Sequence, residues 1–375
     1  MRPLYFDYNA TTPTHPQIME AMLPYFNEHF GNPGCTHSYG LSAQKAMQKA
    51  RQQVADLINA SFEEIIFTSG ATESNNLVLQ GLLEPGDELI VSAIEHPAIL
   101  NPARALARKG IDLKIIPVDH NGIVKLDILK ETCTEKTKLI SIMLANNEVG
   151  TIQPLKKITS WAREKNILVH TDAAQATGKI PVDVQDLGVD FLTIAGHKFY
   201  APKGIGALFI RKGINLKPIL YGGGQENGLR PGTENIPYLV ALGQACALAQ
   251  NDLNQEIKRQ KKLGEIFLSG LKNLDIDFIL HGQDAPRLPN TMSIGFKNLR
   301  AGDIISGLIT YEVAVSAGAA CHSSGENELS YVLKAMNVNE DYGQGTIRFS
   351  WGKMTTKEDM YELLERLKVV LKSLT

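Results

Sequence analysis

Val189-Asp190-Phe191-Leu192-Thr193-Ile194-Ala195-Gly196-His197-Lys198-Phe199-Tyr200 is an apolar run closed by a His-Lys pair. The run reads as a buried strand leaving the core. A lysine carried on it arrives at a fixed point at a strand end, where open α/β sheets place their chemistry. An amine held there can form a Schiff base with an aldehyde. A His-Lys pair taken alone is more often a solvated surface pair. Its neighbours in the sequence give it weight. Leu168-Val169-His170-Thr171-Asp172-Ala173-Ala174-Gln175 is a second apolar strand, and it delivers an aspartate and a glutamine at its end.

A carboxylate on one strand end and a lysine on a later one suit pyridoxal 5′-phosphate. The lysine holds the aldehyde, and the aspartate keeps the pyridinium nitrogen protonated, so that the ring stays an electron sink.

The 375 residues suffice for a large core and more than one domain. A hydrophobic content of 43% and a charged content of 21% are those of an ordinary globular protein. The net charge is −2 and no basic stripe stands out, so nucleic acid is not an expected partner. No apolar run approaches the length of a membrane span, and the first residues carry no signal-peptide pattern, so a cytoplasmic location is expected. Cys35, Cys133, Cys246 and Cys321 lie far apart without C-x-x-C spacing, which argues against structural zinc or a redox pair. Cys246 reads as a small core residue.

Strands alternate with helices across roughly 60–210, which predicts an α/β domain with a mainly parallel sheet. Ser69-Gly70-Ala71-Thr72, between a strand and a helix, reads as a phosphate seat, or as a well-capped βα turn. His96 follows another strand and suits ring stacking, proton transfer or plain capping. Asn146 and Asn147 end a further strand. No G-x-G-x-x-G follows any strand, which disfavours a dinucleotide site. The glycine-dense stretch 221–235 reads as a long functional loop. Helices are expected at about 16–30, 40–60, 236–274 and 356–374, with Ile18, Met22 and Phe26 on one buried face of the first. Residues 5–13 read as turn or loop.

With these residues laid out, the chain resembles the cysteine desulfurases, class-V aminotransferase relatives among fold type I pyridoxal-phosphate enzymes. The resemblance rests on DYNATTP (7–13), SGATESNN (69–76), His96, NNEVG (146–150), HTDAAQ (170–175), GHK (196–198), GGGQE and RPGTEN within 222–235, the small-residue loop bearing Cys321, and IRFS (347–350). It implies a large α/β domain (14–250) with a mainly parallel seven-stranded sheet. A small α+β domain (1–13 and 251–375) would carry Cys321.

It implies further that Lys198 binds the cofactor aldehyde, Asp172 the pyridinium nitrogen and Gln175 the ring oxygen, with His96 stacked on the ring. Ala71, Thr72 and His197 would hold the phosphate, and Thr233 would reach the phosphate of a partner subunit in a homodimer. Asn147 and Arg348 would bind the substrate carboxylate, a bidentate task suited to a guanidinium. Asn9 and Ala10 would border the substrate, L-cysteine. Cys321 would attack the substrate sulfur and carry it as a persulfide to an acceptor protein. The chain departs from the family in having Ala195 and Gly196 where serines often precede the His-Lys pair. GHKFY and ACHS are more similar to selenocysteine lyases, which act on L-selenocysteine, and His322 beside Cys321 could tune the thiol. A non-catalytic scaffold and another aminotransferase remain as alternatives.

Overall fold

The computed structural model describes residues 2–317 and 329–374. Twelve strands occur among them in chain order: β1 (Leu4–Tyr5), β2 (Ile65–Thr68), β3 (Glu88–Ser92), β4 (Asp112–Ile116), β5 (Thr137–Ser141), β6 (Leu168–Asp172), β7 (Phe191–Ala195), β8 (Gly206–Ile210), β9 (Phe278–Leu280), β10 (Thr291–Phe296), β11 (Val313–Ala314) and β12 (Thr346–Ser350). Seven form one sheet in the order β2-β8-β7-β6-β5-β3-β4. Only β8 runs against its neighbours. β2, β3, β7 and β8 are buried along their whole length, and β5 everywhere but at Lys138, as expected of strands covered on both faces.

The same-way strands put five carboxyl ends on one edge. Ser69–Ala71 follow β2, His96 follows β3, Met143–Asn147 follow β5, Asp172–Gln175 close β6, and His197-Lys198 follow β7. The α/β expectation and the seven-stranded sheet are thus met, and the crossover helices include Ala71–Leu82, Pro97–Ala107 and Leu155–Glu164.

Two smaller sheets lie elsewhere. β12-β10-β9 is antiparallel, and β1 pairs in parallel with β11. Tyr5, read with the following residues as loop from sequence, is therefore part of a short strand, because Leu4–Tyr5 find an edge about three hundred residues further along the chain. A backbone bridge from Asp7 to Ser350 continues this alignment and fixes the path of Asn9 and Ala10.

The helix expected at 16–30 is two helices, Pro16–Met22 and Pro24–Asn27. Pro24 lacks an N–H and breaks the ladder. As a result Phe26 is not on the buried face with Ile18 and Met22 but 55% exposed. The helix expected at 236–274 is one unbroken element, Ile236–Lys272, and it runs through residue 250. Its early residues, Ile236 to Cys246, pack in the core around the large sheet, whereas Leu263, Phe267 and Leu271 pack with β10, β12 and the terminal helix Lys357–Leu374.

One close approach ties the core to the lysine turn. Gly178 has φ +75°, and an added Cβ would lie 2.8 Å from the Phe199 Cβ, next to Lys198. Gly178→Ala combines a left-handed strain with overpacking and is expected to cost about 2 kcal/mol of stability in urea denaturation.

Candidate active site

The five strand ends and the N-terminal strip enclose a cavity of about 420 Å³. Of the residues singled out from sequence, Asn9, Ala10, Ala71, Thr72, His96, Asn147, Asp172, Gln175, His197, Lys198 and Arg348 line it. Thr233 does not line it and is exposed. Cys321 and His322 lie outside the described residues.

Lys198 ends a single 3₁₀ turn that follows β7 directly. Its Nζ donates to Asn9 O at 2.7 Å and Ala10 O at 2.8 Å. Two carbonyls thus hold the amine over the cavity floor. His197 Nδ1 lies 3.1 Å from Thr11 Oγ1. Burial and the nearby Lys198, Lys203 and Lys179 press the His197 pKa down to about 4, so the imidazole is neutral near pH 7.

Asp172 is buried at the end of β6. Asn75 Nδ2 donates to its Oδ2 at 2.7 Å, and Ala174 N to its Oδ1 at 2.9 Å. An ionised carboxylate offers about four lone-pair sites, so these two donors leave room for a third. His96 caps the helix Pro97–Ala107, with Nδ1 accepting from Ala98 N at 3.1 Å. The capping role weighed from sequence is real, and it also fixes the ring at the cavity wall with its proton on Nε2.

Arg348 comes from β12, on the antiparallel sheet. Its Nη2 donates to Asp7 Oδ1 at 2.6 Å and its Nη1 to Asn147 O at 3.0 Å. The side chain is 3% exposed, so Asp7 neutralises a buried cation. At the end of β2, Gly70 adopts φ 151°, ψ −177°, a conformation left to glycine. The helix Ala71–Leu82 then begins at the cavity, with first-turn N–H groups that have no intrahelical acceptor. Glu73 on that turn accepts from Ser69 N at 2.8 Å and from Arg230 Nε at 3.0 Å, which ties the glycine-dense loop to the site.

The family model for class-V aminotransferases matches residues 4–363. The cysteine desulfurase IscS of Dictyoglomus turgidum is 43% identical over 377 residues, which span 100% of this chain and 95% of that protein. The chain belongs to the cysteine desulfurase family. A solved NIFS-like protein superposes with a TM-score of 0.93 at 39% identity, with both chains covered at 100%. SspA, solved in complex with cysteine, superposes with a TM-score of 0.81 at 34% identity, covering 92% of this chain and 98% of its own.

The cofactor of this family, pyridoxal 5′-phosphate, fits the residues present. Asn147 Oδ1 is buried without a hydrogen-bond partner at the cavity wall. Asp172 has acceptor capacity to spare, Lys198 has its amine in the cavity, and a helix N-terminus opens opposite for a phosphate. The cofactor's ring nitrogen, aldehyde and phosphate each find a group of the opposite kind.

Several residues of the site were not singled out from sequence. Asp7 and Asn75 sit inside motifs that were quoted, but their duty is to hold Arg348 and Asp172. Tyr331 lines the cavity and donates its hydroxyl to Glu95 O at 2.8 Å. Lys179, four residues after Gln175, carried no signal beyond that spacing. Glu95, beside His96, is wholly buried; its Oε1 accepts from Ser92 Oγ at 2.5 Å and Met143 N at 2.8 Å.

Burial pushes the Glu95 carboxyl up to about 8, with Asp172 adding to the rise. The native state therefore holds this proton more tightly than the unfolded chain. The stability it contributes is complete below pH 4.5 and is lost as pH rises toward 8. Glu95→Gln, which cannot ionise, should gain stability over the wild type progressively between pH 5 and pH 8 in urea denaturation.

Proposed function

We propose that this chain converts L-cysteine to L-alanine as a pyridoxal-phosphate-dependent cysteine desulfurase, with the sulfur passing to Cys321. The observation that carries the reading is the convergence of Lys198, Asp172, Gln175, Asn147 and Arg348 on one cavity, in a chain of the desulfurase family. When bound, the cofactor supplies an aldehyde that captures an amine and a ring that takes up electrons from Cα.

Lys198 would hold that aldehyde, and its amine would be the base that removes the substrate's Cα proton. Asp172 keeps a proton on the ring nitrogen, and Asn75 and the Ala174 N–H hold its carboxylate in place. Gln175 would donate to the ring oxygen, and His96 would stack on the ring. Ala71, Thr72, the neutral His197 and the helix N-terminus take the phosphate. Arg348 and Asn147 hold the substrate carboxylate, and Asn9 and Ala10 close the substrate side. The Cys321 thiolate attacks the substrate sulfur, the Cβ–S bond breaks with its electron pair going to carbon, and protonation of Cβ, with return of the proton taken by Lys198 to Cα, completes alanine. The persulfide stays on Cys321. The described residues that flank it support this role: Ser316 is hydrogen-bonded to the Arg348 backbone and Tyr331 lines the cavity.

A homodimer with shared sites is part of the reading. Thr233 is exposed away from its own cavity, free to serve a neighbouring one. Exposed Phe26, Phe30 and Tyr39 offer apolar surface for a second copy, and Tyr221, 88% exposed, lies on the glycine-dense loop. We place the boundary between a large and a small domain within the helix Ile236–Lys272, whose two halves pack in different cores. A cytoplasmic location and a protein sulfur acceptor complete the proposal. In support, no helix among the described residues is long and apolar enough to cross a membrane, and Cys35, Cys133 and Cys246 are free thiols.

Alanine release from L-cysteine and from L-selenocysteine by purified protein tests the reading. Wild type should turn over L-cysteine. Cys321→Ser should keep the cofactor's colour and lose turnover by on the order of a thousandfold or more, as expected for loss of a nucleophile. A strong preference for L-selenocysteine would favour the lyase, and a fully active Cys321→Ser would sink the sulfur-carrier role.

A further inference from the structure

The residues assigned to cofactor and substrate leave one buried lysine unexplained. Lys179 is 7% exposed, and among the described residues no carboxylate pairs with it. Its Nζ donates instead to Gln175 Oε1 at 2.7 Å and to Asn9 Oδ1 at 3.1 Å. Burial, with the nearby Lys198 and Arg348, drives its pKa well below that of an ordinary lysine. Both of these oxygens are acceptors, so the amine's hydrogens are directed at them.

These contacts determine which way round the Gln175 amide sits. Its Nε2 donates to the Asn9 carbonyl at 2.9 Å, a group that can only accept. Its Oε1 is taken by the amine. With both ends held, the second N–H of the amide, which has no protein acceptor among the described residues, remains for the cavity that Gln175 lines. A free glutamine could turn its carbonyl there, against an oxygen.

We propose that Lys179 is a positioning residue that locks the Gln175 amide with its NH₂ group presented to the cofactor's ring oxygen. The inference rests on the reading of Gln175 as the donor to that oxygen. The same amine also donates to the side chain of Asn9, whose carbonyl accepts both Gln175 Nε2 and Lys198 Nζ. A donor on the ring oxygen stabilises its anionic form. Without one, that oxygen holds the neighbouring proton more tightly, and the pH at which the bound cofactor changes colour moves upward.

The test compares full-length Lys179→Met, Gln175→Ala and the double variant with wild type. Two properties are read: the dissociation constant for pyridoxal phosphate on reconstitution, and the pH midpoint of the bound cofactor's absorbance change. Lys179→Met should weaken binding by about tenfold, as for one hydrogen bond to a charged oxygen, and raise the midpoint. The double variant should match Gln175→Ala, because Lys179 acts through that amide. Wild-type values in Lys179→Met, with altered ones in Gln175→Ala, overturn the positioning role and leave the Gln175 reading intact. Additive effects in the double variant also overturn it, since they mark Lys179 as a separate structural prop. Wild-type values in Gln175→Ala overturn the Gln175 reading and the proposal with it. Should Lys179→Met not fold, the same cycle with Lys179→Gln is read by the same criterion of non-additivity.

Discussion

The backbone carbonyl of Asn9 receives Lys198 Nζ and Gln175 Nε2 together. Through that one oxygen the N-terminal strip is fastened to the ends of β6 and β7, two adjacent strands of the large sheet. The strip is held from the other side by backbone bonds to β12 and β11. Asn9 itself is 1% exposed, and its amide is spent on Asn147 O and Thr291 Oγ1. A buried polar side chain so fully satisfied is rigid, because any shift would orphan several groups at once. The lysine amine and the β12 arginine therefore face the same cavity from opposite sides with little freedom to drift.

The electrostatics of the site follow from this enclosure. Three basic side chains, Lys198, Lys179 and Arg348, lie near one another in a buried region. Asp7 neutralises Arg348 by a direct ion pair, and Lys179 responds by a lowered affinity for its proton. Burial, with Lys198, Lys203 and Lys179 nearby, holds His197 neutral. Lys198 and Arg348, which line the cavity, suit a ligand that brings a phosphate and a carboxylate, and the first turn of the helix Ala71–Leu82 adds free N–H groups beside them.

Much of this arrangement was legible in the sequence because each motif sits at the end of an apolar run. β6 and β7 could be read as buried strands from periodicity, and Asp172, Gln175, His197 and Lys198 followed from where those runs stop. Arg348 was legible only through its motif, since an arginine in an alternating strand carries no local sign of its duty. Where local reading failed, a specific contact had intervened. Leu4–Tyr5 became a strand because β11 offered an edge, and Phe26 left the core because Pro24 broke its helix. The single helix Ile236–Lys272 carries no break at residue 250, because the change in its surroundings lies in which core each half meets and not in its own residues.

The sequence by itself determined the strand and helix alternation, the residues at five strand ends and the family to which they belong, since hydrophobic period and motif identity are properties of short stretches. The tertiary structure alone decided which of those residues meet. The Asp7–Arg348 pair, the hold of Asn75 on Asp172, and the chain from Lys179 through Gln175 to Asn9 join segments far apart in sequence. Their partners are chosen by burial, which leaves a polar group no water to turn to and makes the nearest complementary atom its only recourse.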